Sequence, residues 1–318
     1  MAKKITIRVP QILPVGGGKG GIGKSFIVAN LGVLMAKQGI KVALVDLDLG
    51  ASNLHTFIGE ARCHSGLNHF LNKREVSLEN VAIRSDIHNL HLISSIGCTE
   101  EIANLFTAQK NKIIKAIKKM PYEYVLLDLG AGTNYNTLDF FLTSDSGIFI
   151  CTPEPTSIEN AFKFIKAVYL RKAKRILKTK AFKPIYEQIL SKVGNISKQS
   201  SKFIEAVIQF DPEKGAMFQK QLSKFKFKFI INQFKKSADS MIGQKIEKVC
   251  NRHFYSEFEF LGNISYDERV YDSILSKKIF VSKYSYTISA IELNNIAKKI
   301  VGNHIDKIPQ PLIQNEKF

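Results

Sequence analysis

Cysteine is scarce in this sequence of 318 residues, which contains only four. Cys63, Cys98, Cys151 and Cys250 form no CxxC pair, and none has a close Cys or His neighbour at metal-ligand spacing. The lack of paired cysteines excludes iron–sulfur carriers and iron–sulfur reductases. It favours four free thiols in a reducing compartment.

Long apolar runs are also missing from the sequence. No run reaches the roughly 18 apolar residues that a membrane-spanning helix needs. The start, MAKKITIRVPQ, has two lysines but lacks the apolar core of a signal peptide. The expected location is therefore the cytoplasm.

Acidic residues are depleted in one region. The whole chain carries a net charge of +18, and residues 163–236 contain 19 Lys and Arg against four acids, an excess of +15. A concentrated basic surface attracts nucleic acid, anionic lipid or an acidic partner. A solvated, lysine-rich face without a partner explains the composition equally well.

Apolar runs typical of β-strands alternate with stretches whose apolar residues recur at helical spacing. Several runs lack polar alternation, which is typical of strands buried on both faces. The predicted strands cover residues 41–49, 90–96, 122–130, 146–154, 227–234 and 257–264. This rhythm predicts an α/β fold with a mainly parallel, doubly wound sheet and helices on both sides.

One segment interrupts the rhythm. Residues 171–226 separate two predicted strands by more than one crossover helix requires, and they are lysine-rich with helical periodicity. We therefore predict a single domain over residues 1–318 with a basic helical insertion at 171–226. Residues 303–318 contain two prolines and no amphipathic period, which predicts a flexible tail.

The segment PVGGGKGGIGKSF, residues 14–26, contains the pattern Gly-x4-Gly-Lys-Ser of a phosphate-binding loop. Glycines let successive backbone N–H groups surround phosphate oxygens, and the following helix directs its positive end at the same anion. Lys24 would add charge at the β- and γ-phosphates, and the Ser25 hydroxyl would ligate Mg²⁺. The sequence therefore predicts a sheet of the P-loop NTPase type. The predicted nucleotide-binding residues here are Gly18, Lys19, Gly20, Gly21, Ile22, Gly23, Lys24, Ser25 and Phe26.

Carboxylates follow two of the predicted strands. Asp46 and Asp48 lie in VDLDLGASNL, and Asp128 lies in LLDLGAG. The carboxyl ends of parallel strands face the crevice in which nucleotides bind. Phosphoryl transfer to water needs one group to hold Mg²⁺ and another to orient the attacking water, so these carboxylates are the candidates for both tasks.

The lysine at the outer end of the loop, Lys19, is surplus to a simple phosphate-binding loop. The pattern Lys19-Gly-Gly-Ile-Gly-Lys24-Ser25, with the two carboxylate motifs in the same chain order, resembles the deviant Walker A motif of the MinD/ParA superfamily of P-loop ATPases. The resemblance implies ATP and Mg²⁺ as cofactors and an ATP-sandwich dimer in which Lys19 reaches the partner's nucleotide. It also implies catalytic roles for Lys19, Lys24 and Asp48, where Asp48 positions the water, and metal-holding roles for Ser25, Asp46 and Asp128.

Two later segments extend the resemblance. Asn232 in FIINQF resembles the superfamily's adenine-contacting asparagine, and LGNISYDERV resembles its late nucleotide-flanking loop, with Ser265 where a proline is usual. Over residues 10–170 and 227–300 the sequence is most similar to the flagellar-placement branch called FlhG, FleN or YlxH. The N-terminal activation helix and C-terminal amphipathic membrane helix of many such proteins are not evident in it.

The function implied is an ATP-hydrolysing switch that dimerises on ATP and controls the placement or number of a flagellum or another polar assembly. It implies an unidentified regulatory partner and peripheral attachment at the inner membrane or cell pole. A ParA-like partition ATPase that binds duplex DNA through residues 163–236 is the first alternative. A nucleotide-binding regulatory module without hydrolysis is the second, and the presence of Asp48 disfavours it. No residues specify the small-substrate pocket of a metabolic relative such as a dethiobiotin synthetase.

Overall fold

The structure is a computed structural model, and it describes residues 9–60, 66–73, 76–95, 105–184, 186–188, 205, 207–209 and 211–305. Cys63 and Cys98 lie outside these residues. Cys151 and Cys250 are buried and form no disulfide, as predicted for those two thiols. Within the described ranges no helix is both long and apolar enough to cross a membrane.

Eight strands of the described chain form one sheet in the order β3-β4-β2-β5-β1-β6-β7-β8. β3 runs antiparallel to β4, and every other neighbouring pair is parallel. The predicted mainly parallel sheet is therefore confirmed, and all six predicted strands are present. The strands are β1 (Gln11–Gly16), β2 (Val42–Leu47), β3 (Ile83–Arg84), β4 (Leu90–Ile93), β5 (Tyr124–Leu129), β6 (Ser146–Cys151), β7 (Lys226–Phe234) and β8 (Glu257–Ser265).

Helices cover both faces of the sheet and form two hydrophobic clusters. One cluster includes side chains of α1, α2, α10 and α11, and the other includes side chains of α3 to α8. The sheet is thus doubly wound, as predicted. The helices are α1 (Lys24–Lys37), α2 (Leu54–Phe57), α3 (Leu67–Asn72), α4 (Thr107–Ile117), α5 (Tyr135–Phe141), α6 (Pro155–Leu177), α7 (Pro212–Ser223), α8 (Ile242–His253), α9 (Arg269–Leu275), α10 (Phe280–Lys283) and α11 (Ile288–Ile305), with a 3-10 turn at Glu79–Val81.

The lysine–phenylalanine alternation of β7 is explained by its neighbour β8. Phe227 is buried and its ring stacks on that of Phe258 at 4.6 Å between centroids. On the opposite side of the strands, Lys226 and Lys228 form ion pairs with glutamates of β8 at 2.6 and 2.9 Å. The alternation is therefore a two-faced strand, in which the phenylalanines fill the core and the lysines are neutralised locally.

The predicted insertion is only partly covered by the structure. Its first residues, from 171, continue α6 without interruption to Leu177. Its last helix is α7, and its last residue, Lys226, begins β7. Residues 189–204 lie outside the described chain, so the insertion at 171–226 stays a prediction. Of the predicted tail, residues 303–305 continue α11 and the remainder lies outside the described residues.

Candidate functional site

A glycine-rich loop joins the carboxyl end of β1 to the first turn of α1. Gly23 has φ 86°, in the left-handed region where a side chain would be strained, and Gly21 has φ 74°. A Cβ atom on Gly18 would lie 2.1 Å from the carbonyl oxygen of Asn160. Glycine is therefore required at Gly18 by close packing and at Gly23 by backbone geometry.

Two carbonyl groups of this loop accept hydrogen bonds from side chains of β7. Asn232 Nδ2 donates to the carbonyl oxygen of Ile22 at 2.9 Å, and Gln233 Nε2 donates to that of Gly21 at 3.1 Å. Apart from the turn at Gly20 and Gly21, no N–H group from residue 18 to residue 23 donates to another described backbone group. The other N–H groups thus remain available to an anion, the arrangement that phosphate-binding loops use.

The two lysines of the loop have different environments. Lys24 is 7% exposed, and its ammonium lies 3.5 Å from the carbonyl oxygen of Lys19. Burial lowers the pKa of Lys24, and the negative charges of Asp128 and Asp48 act in the opposite direction. The Lys19 side chain is exposed and has no polar partner among the described residues.

Asp46 and Asp128 are direct register partners on the parallel strands β2 and β5. Asp46 is fully buried and accepts hydrogen bonds from the Ser52 hydroxyl at 2.8 Å and the backbone N–H groups of Asp48 and Leu54 at 3.1 and 3.3 Å. Burial raises the pKa of Asp46 to about 6, although these hydrogen bonds favour the ionised form.

Asp128 has the most unusual environment in the site. It is 1% exposed, and neither carboxylate oxygen has a hydrogen-bond partner within the described chain. Burial, and then the charge of Asp46, raise the pKa of Asp128 to about 8, although the nearby Ser25 hydroxyl and Lys24 act to lower it. A divalent cation would satisfy these two oxygens, and carboxylate and hydroxyl oxygens are suitable ligands for Mg²⁺ or for the waters around it.

Asp48 follows β2 directly and faces the cavity in front of the loop. A Cβ atom on Gly130 would lie 3.1 Å from Asp48 Oδ1, so this glycine leaves room for the carboxylate. The backbone N–H of Gly132 donates to the carbonyl oxygen of Gly17 at 3.2 Å and ties the segment after β5 to the loop. The three strand-end motifs predicted from the sequence therefore meet at one edge of the sheet.

The cavity has a volume of about 760 Å³. The phosphate loop, the ends of β7 and β8, and the helices α2 and α9 line it. Its lining includes Gly20, Gly21, Gly23, Lys24, Ser25, Phe26, Asp48, Phe57, Asn232, Gln233, Ser265, Tyr266, Asp267, Val270, Ile274 and Ser289. Of the predicted residues, Gly18, Lys19, Ile22, Asp46 and Asp128 do not line it.

Gln233 lines the cavity beside the predicted Asn232, although the sequence motifs did not select it. Tyr266 and Asp267, which belong to the segment predicted to flank the nucleotide, also line the cavity. The signal for Gln233 was available, because it lies near the end of β7, and the strand-end rule that selected Asp46 applies equally to it.

Ser265 stands where a proline is usual in the similar proteins, and it makes two hydrogen bonds that a proline could not make. The Ser265 N–H donates to Glu292 Oε2 at 2.6 Å, and its hydroxyl donates to Glu292 Oε1 at 3.0 Å. Proline could make neither bond, since it has no N–H and no hydroxyl. The substitution therefore joins the end of β8 to α11.

Comparison with known proteins gives a family match over most of the chain. The model of the family described as the CobQ/CobB/MinD/ParA nucleotide binding domain matches residues 14–280. This range includes the phosphate loop, all three carboxylates and the cavity residues at the ends of β7 and β8, but not Ser289.

Two curated relatives show the level of similarity. The flagellum site-determining protein YlxH of Helicobacter pylori is 29% identical over 163 residues, which are 49% of this chain and 53% of the relative. The septum site-determining protein MinD of Thermotoga maritima is 29% identical over 158 residues, which are 49% and 57% of the two chains. The chain spans about half the length of the curated relatives it matches.

The fold is similar to a solved structure over nearly its whole length. The septum site-determining protein MinD from Pyrococcus horikoshii, solved as a complex with Mg-ADP, superposes with a TM-score of 0.65 at 18% identity, covering 94% of this chain and 99% of that chain. At this identity the likeness concerns the fold, and it confirms the prediction of a sheet of the P-loop NTPase type.

Proposed function

Because this chain belongs to the CobQ/CobB/MinD/ParA nucleotide binding domain family, we propose that it is an ATP-hydrolysing molecular switch. It binds Mg-ATP in the cavity, dimerises, and controls the placement or number of a cellular assembly, as the names of YlxH and MinD indicate for those relatives. The observation that carries the proposal is the buried, unpartnered carboxylate of Asp128, which lies beside Asp46 at the base of a phosphate loop.

Different groups around the loop bind the phosphates and the Mg²⁺ ion. Loop N–H groups and the Lys24 ammonium hold the phosphates, while Ser25, Asp46 and Asp128 hold Mg²⁺ or its water shell. The bound Mg²⁺ supplies neutralisation of the phosphate charge. Asp46 is held rigidly by its hydrogen bonds to Ser52 and Leu54, so it can support this shell without rearranging.

Asp48 is the proposed water-positioning residue. It lines the cavity, and its backbone N–H is fixed by Asp46 Oδ1 at 3.1 Å. A carboxylate held in this way can accept a hydrogen bond from the attacking water and orient it towards the γ-phosphate. Asp48→Ala should therefore bind ATP but accumulate as the ATP-bound dimer.

Lys19 is the proposed contact to a second subunit. Its side chain is exposed and has no described polar partner, whereas Lys24 is buried towards its own cavity. An exposed ammonium beside the phosphates can neutralise the triphosphate of a facing copy. In the Asp48→Ala background, light scattering with Mg-ATP should show dimers, and adding Lys19→Ala should return single chains.

Asn232 is the proposed base-selecting residue. Its Nδ2 group donates to the carbonyl oxygen of Ile22, so the oxygen of the same amide is the atom free to meet the base. A carbonyl oxygen accepts from the amino group of adenine but repels the oxygen at the equivalent position of guanine. ATP should bind at least about tenfold more tightly than GTP, which competition calorimetry measures.

Lys24→Ala tests the binding site directly. Loss of this ammonium should weaken Mg-ATP binding by about 100-fold or more, because it removes the only buried cation that the structure places at the loop. Lys37→Ala is the matched control, since it removes an exposed lysine from the other end of α1. Equal affinities of Lys24→Ala and the wild type would refute the assignment.

Attachment to an anionic surface is the second part of the proposal, and exposed lysines of the 163–236 region support it. Lys166, Lys178, Lys180, Lys220 and Lys224 are exposed and have no ion-pair partner among the described residues. Duplex DNA and anionic liposomes are the two candidate surfaces. Binding is measured to each surface separately across a salt series: the surface that is bound at physiological salt identifies the partner, and weakening by salt shows that the lysines carry the binding.

A further inference from the structure

Two consecutive side chains of β7 hold two consecutive carbonyls of the phosphate loop. Asn232 bonds to Ile22 and Gln233 bonds to Gly21, across 210 and 212 positions of sequence. When loop N–H groups face inward to an anion, the carbonyl groups between them face outward and need partners of their own. The end of β7 supplies these partners.

A regular strand could not do this with neighbouring residues, because successive side chains point to opposite faces. At this point β7 is irregular: its register against β8 shifts between Ile231 and Phe234, and Gln233 has φ 54°. The turned backbone brings the Gln233 amide to the same loop as the Asn232 amide.

Left-handed backbone is uncommon for residues other than glycine, and it clusters where function requires it. The described chain has two other examples, Asn89 and Lys277. Both lie in turns, where the chain reverses after a strand or a helix. Gln233 is the one that lies within a strand, so its conformation is not explained by a chain reversal.

We propose that Gln233 is a positioning residue, whose strained backbone aims its amide at Gly21 and holds the tip of the phosphate loop in its binding shape before nucleotide arrives. The inference rests on the proposed function, because it assigns Gln233 a part in nucleotide binding. Holding the loop in advance reduces the entropy that binding must overcome. It also fixes the backbone from which Lys19 extends.

Gln233→Gly tests this role without adding strain. Glycine adopts φ 54° freely, so the variant removes the side chain with its amide and leaves this backbone conformation accessible. Asn89→Gly is the matched control, since it makes the same backbone change in a turn that does not line the cavity. Two quantities are measured: hydrogen exchange of the amides of residues 20–25 in nucleotide-free protein, and affinity for Mg-ADP by calorimetry.

In Gln233→Gly, the loop amides should exchange faster and Mg-ADP should bind about fivefold more weakly, because binding must then order a loop tip that is no longer held in advance. The KM for ATP should rise by a similar factor while kcat stays within about twofold, because the loop holds the ground and transition states equally. Asn89→Gly should change none of these values. Both variants should unfold within a few degrees of the wild-type temperature, because relief of left-handed backbone strain offsets the greater freedom of glycine in the unfolded chain.

Several outcomes would overturn the proposal. Weaker binding without faster exchange would mean that Gln233 contacts the nucleotide instead of positioning the loop. Faster exchange with unchanged affinity would mean that the bond is structural only. If the wild type binds no Mg-ADP, the proposed function fails and the nucleotide-binding role of Gln233 fails with it, whereas faster exchange would still show that the amide holds the loop.

Discussion

Two buried aspartates, Asp128 and Asp139, have opposite surroundings. Asp128 ends β5 at the cavity, is 1% exposed, and has no hydrogen-bond partner among the described residues. Asp139 lies in α5, is 3% exposed, and is surrounded by cations. The three cations come from α4 and α6: Lys110, Arg171 with a bond of 2.7 Å, and Arg175 with a bond of 2.6 Å.

The pKa values of the two carboxyl groups are shifted in opposite directions. Burial raises the pKa of Asp128 to about 8. Burial also acts to raise the pKa of Asp139, but hydrogen bonds from the three cations outweigh it and hold that pKa below the usual range of an aspartate. The carboxylate of Asp139 is neutralised by cations of the protein and stabilises helix packing. The carboxylate of Asp128 has no such cation bonded to it in the part of the chain that the structure describes, which is the arrangement suited to a cation brought by a ligand.

The largest effect that tests this comparison is expected from Asp139→Asn. The substitution keeps the shape but leaves three cations around a neutral group, so the free energy of unfolding should fall by about 3 kcal/mol. Urea unfolding measures it. Asp145→Asn is the control, because that side chain is exposed on the following turn and should change stability by less than about 0.5 kcal/mol.

The next effect concerns pH. The pKa of Asp128 is about 8 when folded and about 4 when unfolded, so the folded state binds a proton that the unfolded state has lost. Stability is therefore full below about pH 4 and falls as pH rises towards about 8. Without nucleotide, the free energy of unfolding should drop by about 2 kcal/mol from pH 6 to pH 8.

In Asp128→Asn the free energy of unfolding should drop by less than half of that amount over the same pH range. Asp46, whose pKa is about 6, affects stability mainly below this range, and Asp139, whose pKa is depressed, loses its contribution only in strong acid. Equal slopes for the wild type and Asp128→Asn in denaturation at a series of pH values would contradict the assignment.

Magnesium binding should expel the proton from Asp128. At pH 7 the binding of Mg-ATP should release about one proton, because a carboxylate must ionise to hold the cation, and this is equivalent to about 1.4 kcal/mol per pH unit. Calorimetry in buffers of different ionisation enthalpy counts the protons. Asp139→Asn should release as many as the wild type, and a release that survives in Asp128→Asn would place the proton elsewhere.

The smallest effect on stability is expected at Arg175, the most exposed of the three cations around Asp139. The Arg175 side chain is 41% exposed, so water screens its ion pair and Arg175→Met should cost only about 0.5 kcal/mol. The Lys110 side chain is only 9% exposed, so Lys110→Met should lower the free energy of unfolding by more than Arg175→Met does. Equal losses in urea unfolding would show that burial does not set the strength of these pairs.

Much of the fold and half of the cavity could be predicted from the sequence. The strands are continuous apolar runs, and the loop is one contiguous segment whose residue types suit it for phosphate. Because parallel strands bring their carboxyl ends to one edge, Asp46 and Asp128 were expected together, and they are register partners.

The three cations around Asp139 could not be predicted in this way. Lys110 and Arg171 lie on helices before and after α5, and the surface-charge pattern of α6 does not distinguish Arg171 from lysines that remain in solvent. The partnership of Ser265 with Glu292 requires β8 and α11 to be placed first. The boundaries of the insertion likewise depend on where α6 ends, and helical periodicity alone does not mark Leu177.

The sequence by itself determined the identity of the phosphate loop and the order of the groups that follow the strands, because loop geometry and strand topology act over short, contiguous segments. The tertiary structure alone decided which buried charges are neutralised and which loop carbonyls are held. Those free energies depend on partners from distant parts of the chain and on how completely the fold removes each group from water.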